Sequence, residues 1–148
     1  MSTSLTYWSN ASIANDLQQQ LKHEADQLSH DWWAEGISFF ADPDGLNRAY
    51  GDSKLFLLHE ELEAEDDSAM AWRDASLIVD QLEHWSASYG ISWSLSCAGE
   101  TVGAVTNGNR DSALVDFLAE IKEIAEITGP VTPERLSNIS NEHAGQRG

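Results

Sequence analysis

Apolar side chains recur every three or four positions along three stretches of this chain, and alternate with polar ones along a fourth. Ile13, Leu17, Leu21, Ala25 and Leu28 form the first stripe, which predicts a one-sided helix over about 9–30 with Ser9 or Asn10 as its cap. Ile78, Leu82, Trp85 and Tyr89, widened by Ala75 and Val79, predict a second helix over 68–89, and Gly90 is its expected terminator. A third spans 111–128, with Leu114, Phe117, Leu118, Ile121, Ile124 and Ala125 inward and Gly129-Pro130 closing it. Before it, Ile91, Trp93, Leu95 and Cys97 alternate with Ser92, Ser94 and Ser96, the signature of a strand with one apolar and one wet face. A turn at Gly99-Glu100 would make this strand half of a hairpin near 91–107, pairing Cys97 with Val102 and Leu95 with Ala104. A three-residue turn would bring Val105 inward instead, so two registers fit.

The remaining segments are less regular. Ile37, Phe39 and Phe40 suggest a short strand within 32–41, stopped by Asp42-Pro43-Asp44-Gly45. Residues 52–67 read two ways: Leu55, Leu58 and Leu62 make a helical stripe, while Leu55-Phe56-Leu57-Leu58 alone suits a buried strand. The Leu, Glu and Ala content favours helix. Residues 1–8 read as a loose lead-in and 137–148 as a flexible polar tail, leaving about 9–136 ordered. Helix, strand, an ambiguous element, helix, hairpin and helix describe an α+β fold, with helices packed on one face of a small antiparallel sheet. At 148 residues, without repeats or a Pro/Gly/Ser-rich linker, 1–148 reads as a single acidic domain. It is large enough to bury a core without disulfide or metal.

Charge narrows the partners. Against 25 Asp and Glu stand 8 Lys and Arg, a net charge of −17. Such a surface repels phosphates, so nucleic acid and anionic membranes are poor partners and cationic ones are favoured. One cysteine, Cys97, excludes an intramolecular disulfide. The chain shows no basic-then-apolar leader and no apolar run near the ~20 residues of a spanning helix, so a cytoplasmic location is expected.

Each candidate for chemistry lacks a decisive part. His59-Glu60-Glu61-Leu62-Glu63 begins like a zinc-protease helix, but Glu63 stands where the second imidazole is needed. His23-Glu24-Ala25-Asp26-Gln27 fails in the same way at Gln27. Counted from Asp42 as a calcium loop, the glycine falls fourth and the twelfth position is Ser53, whereas such a loop needs glycine sixth and a bidentate glutamate last. A tight turn accounts better for that segment. Cys97 shares the apolar strand face with Trp93 and Leu95, which predicts a buried, inert thiol. Ser92, Ser94 and Ser96 lie in no nucleophile-elbow setting, and Gly99, Gly103 and Gly108 do not form a phosphate loop.

Two features suit binding. At strand spacing, one of Trp32 and Trp33 would point outward as an anchor. Glu60, Glu61, Glu63, Glu65, Asp66 and Asp67 put six carboxylates in eight positions, ordinarily a solvated face but also a natural dock for cations. The expectation is a non-catalytic acidic interaction module that docks a basic protein surface, for example an inhibitor or immunity-type protein, with no cofactor and no metal. The alternatives are a small metal-assisted hydrolase using His59, Glu60 and Glu63, or a structural or regulatory domain whose acidity serves only solubility.

Overall fold

The computed structural model describes residues 2–28, 37–56 and 67–126. In chain order these form strand β1 (Ser2–Ser9), helix α1 (Asn15–Leu28), β2 (Phe39–Phe40), β3 (Tyr50–Phe56), α2 (Asp67–Tyr89), β4 (Trp93–Cys97), β5 (Glu100–Thr106), β6 (Asn109–Arg110) and α3 (Ser112–Glu126). The strands make one antiparallel sheet in the order β2-β3-β1-β4-β5-β6. The helices pack on one of its faces, giving the α+β architecture that the hydrophobic pattern predicts.

Residues 1–8 are not a lead-in. Most of them belong to β1, which sits mid-sheet and pairs with both β3 (Leu5 opposite Ser53) and β4 (Leu5 opposite Cys97). The ladder continues past its end, where Ser9 N–H donates to Ala49 O (2.8 Å) and Asn10 N–H to Ser92 O (2.9 Å). The first helix accordingly starts at Asn15 rather than near residue 9. The leaning toward helix over 52–67 is also corrected: Tyr50–Phe56 is strand. Residues 57–66 lie outside the described part.

Leu5, Tyr7, Trp93, Leu95, Cys97 and Val105 line the helix-facing side of the sheet. Against them α2 sets Ala71, Ala75, Ile78, Val79, Leu82 and Trp85, α3 sets Leu114, Leu118 and Ile121, and α1 sets Leu21 and Ala25. These are the three-to-four spacings of the stripes, now buried. Gly90 ends α2 as expected, its N–H donating to Ser86 O (3.0 Å). Asp111 caps α3, its Oδ1 accepting from Leu114 N–H at 2.9 Å.

The hairpin closes through a two-residue turn at Ala98-Gly99, both at positive φ (52° and 83°), so Cys97 faces Glu100. A bulge then shifts the register, and Leu95 meets Gly103 while Trp93 meets Val105. Neither simple register holds. Close contact with α3 requires glycine at 103, since a side chain there would lie 2.6 Å from Leu114 Cβ and 2.8 Å from Asp111 Oδ1. A second tight turn at Asn107-Gly108 folds β6 back onto β5.

Candidate docking surface

Most of the residues singled out by sequence fall beyond the described part. Trp32, Trp33, His59, Glu60, Glu61, Glu63, Glu65 and Asp66 lie outside it, and Asp67 is the first residue of α2. The structure neither assembles nor separates them.

Other candidates are placed clearly. Cys97 is 8% exposed, and burial pushes its thiol pKa up to about 11. At neutral pH it is a protonated core residue. A thiol reagent should therefore label the native chain far more slowly than the unfolded chain; equal rates would contradict this burial.

The Asp42–Gly45 turn holds an arginine. Asp42 Oδ2 accepts from Arg48 Nε (2.8 Å) and Oδ1 from Arg48 Nη2 (3.0 Å), while Asp44 Oδ2 takes a further Nη2 bond (2.8 Å). The backbone N–H groups of Asp44 and Arg48 also donate to Asp42, whose side chain is 3% exposed. The Arg48 guanidinium, above all, holds the Asp42 carboxyl far below the usual carboxylate range, and the backbone donors add to this against the opposing effect of burial. Because the folded-state pKa is depressed, the associated stability is present above the unfolded value of about 4 and is lost as pH falls below it. Arg48→Met should thus lower the urea midpoint markedly at pH 7, with the gap from the parent chain shrinking at pH 3. A gap that is constant with pH would remove this ion pair as its cause.

Arg110 is held similarly at the far edge of the sheet, by Glu83 (2.7 Å) and Asp80 (2.8 Å). Lys122 lies 3.8 Å from Glu126 and 5.6 Å from the centre of the Trp72 ring. These three cations are thus engaged within the chain.

A cleft of roughly 400 Å³ opens where the β1–α1 connection meets the end of α2, between Ser9–Leu17 and Tyr89–Ser92. Two of its serines serve the fold: Ser9 Oγ accepts from Ala49 N–H (3.0 Å) and donates to Ala11 O (2.8 Å), and Ser12 Oγ donates to Leu46 O. At its rim the Tyr89 hydroxyl donates to Glu24 (2.8 Å), a bond that raises the tyrosine pKa. Among the described residues no group of three or more His, Cys, Asp and Glu is placed to hold a metal ion.

The sheet face away from the helices carries a different surface. Phe40 pairs with Tyr50, Tyr50 with Trp8, Trp8 with Ser94 and Ser94 with Ala104, so three aromatic residues sit side by side across β2, β3 and β1. Phe40 is 55% exposed, and Trp8 and Tyr50 are half-buried. In the next row Asp52, Thr6, Ser96 and Thr101 lie opposite one another. Asp52 Oδ1 is shielded from solvent and has no hydrogen-bond partner, leaving that carboxylate short of donors. Sequence reasoning missed this surface because it depends on β1 and β3. The available signal was the alternation of Leu5 and Tyr7 with Ser4 and Thr6, which Trp8 interrupts.

Among the described residues, no helix is long and apolar enough to cross a membrane. Comparison with protein-family models, with curated proteins and with solved structures gives no match.

Proposed function

We propose that this chain is a non-catalytic acidic interaction domain that docks a basic protein surface, as an inhibitor or immunity-type protein would dock a cationic enzyme. One observation carries the reading: 25 acidic residues face only 8 Lys and Arg. Within the fold Arg48, Arg110 and Lys122 are already engaged by acids. A field of this sign draws cationic partners over distances beyond contact and disfavours phosphate-bearing ones. Cys97, the chain's single thiol, is buried and protonated, and Ser9 and Ser12 of the cleft are tied to backbone groups.

The test is capture of partners at low and high salt, followed by association kinetics with the captured protein. Replacing Glu60, Glu61, Glu63 and Glu65 together with glutamine should slow association by roughly tenfold at low ionic strength. The Debye length falls to about 3 Å at 1 M salt, so the difference should vanish there. A quadruple variant that binds normally at every salt concentration would remove 60–67 as the dock. Failure to retain any basic protein at low salt would leave the acidity as a solubility device.

A further inference from the structure

We propose that the face of the sheet away from the described helices receives arginine side chains of the basic partner, stacking them on Phe40, Tyr50 and Trp8 beside the Asp52 carboxylate; this rests on the docking reading above. Adjacent strands lie about 4.8 Å apart, so the three rings offer an aromatic strip roughly 10 Å long, with Asp52 two residues along β3 from Tyr50. Trp and Tyr are the side chains that most often anchor an interface. A guanidinium suits this combination because its planar face stacks on a ring while its edge donates to a neighbouring carboxylate oxygen. An ammonium provides the charge without the plane. The chain's own Arg48 and Arg110 are held by Asp42, Asp44, Asp80 and Glu83, so neither of these two is available to the strip.

Charge complementarity selects the occupant. A second copy would bring another −17 onto the first, and a nucleic acid would bring phosphates; both are repelled. A basic protein surface is attracted by the same field, and the aromatic strip then distinguishes arginine from lysine.

Two probes separate the possibilities: hexa-arginine and hexalysine amides, titrated into the full chain and followed by amide and indole NMR shifts. The expected result is roughly threefold tighter binding of hexa-arginine. Shifts should concentrate at Phe40, Tyr50, the Trp8 indole and Asp52. Phe40→Ala and Trp8→Leu, both directed away from the core, should reduce hexa-arginine to the lysine affinity without altering the remaining spectrum. If Trp8→Leu disturbs the fold, Phe40→Ala alone decides, because Phe40 is 55% exposed on a two-residue edge strand. Equal affinities, or shifts confined elsewhere, would overturn the arginine face while leaving acidic docking intact. No binding of either peptide at low salt would defeat both. Dimerisation lost in Phe40→Ala would make a second copy the occupant, and NOEs from this face to residues 127–148 would make it the chain's own segment. Either result would overturn the proposal.

Discussion

Trp93→Ala should lower the unfolding free energy by about 3–5 kcal/mol, the range for truncating a fully buried aromatic. Trp93 has no solvent exposure and stacks near Phe39 (6.3 Å between ring centres) and Trp85 (6.1 Å), with Tyr7 edge-on to Phe39 at 6.1 Å. The alanine would leave a cavity bounded by large flat rings, which cannot collapse into it without turning edge-on to their other neighbours. Against a typical total of about 5–15 kcal/mol, that loss puts the variant near its unfolding threshold at physiological temperature. Trp93→Phe should be far milder for a specific reason: the Trp93 Nε1–H is buried without an acceptor, so removing the indole also removes an unpaired donor. Equilibrium urea unfolding of the two variants checks both parts. An alanine loss below about 1 kcal/mol would show that the aromatic group is not the centre of the core.

Gly51→Val should cost about 3 kcal/mol or more, at the upper end for overpacking. A Cβ at position 51 would fall 2.2 Å from Tyr7 Cε2 and 2.6 Å from Ser38 O. Neither neighbour yields easily. The Tyr7 hydroxyl accepts from Ser38 N–H (3.1 Å) and bonds Ser53 Oγ (2.8 Å), and Asp52 N–H donates to Ser38 O (3.2 Å). Displacing the side chain breaks the first two bonds, and moving the backbone weakens the last. The expected outcome is a reduced denaturation midpoint with an unchanged slope. A midpoint equal to that of the parent chain would mean that β3 can separate from Tyr7 at little cost.

The same contact explains why part of the fold was hidden in the sequence. The core-facing positions of β3 and its approach are Ala49, Gly51 and Ser53, small residues that make room for Tyr7 from the neighbouring strand. They give no apolar alternation, while the leucines just beyond them imitate a helical stripe. In β1 only Leu5 and Tyr7 mark the buried side, and Trp8 on the opposite face disguises the period. By contrast, α2, α3 and β4 were legible because each buries its own large side chains at its own period. The hairpin register departs from both simple pairings because a bulge falls between Leu95 and Ser96, which the turn residues alone do not specify. The acidic character was legible from composition; the aromatic row was not, because its members come from three separate strands and only their pairing sets them side by side.

The placement of β1 also orders events during synthesis. During synthesis β1 emerges before both of its partners, β3 and β4, the latter ending at residue 97. Until Trp93–Cys97 has emerged, Leu5 and Tyr7 have no complete pairing, and the stretch resembles an unpaired edge exposed to other nascent chains. The β4-β5-β6 meander can close locally through its two short turns, but closing β1 onto it encloses most of the described chain in one loop, a slow entropic step. Refolding rate should therefore respond mainly to substitutions along the β1–β4 seam, and chaperone capture would be expected on chains stalled before β4 appears.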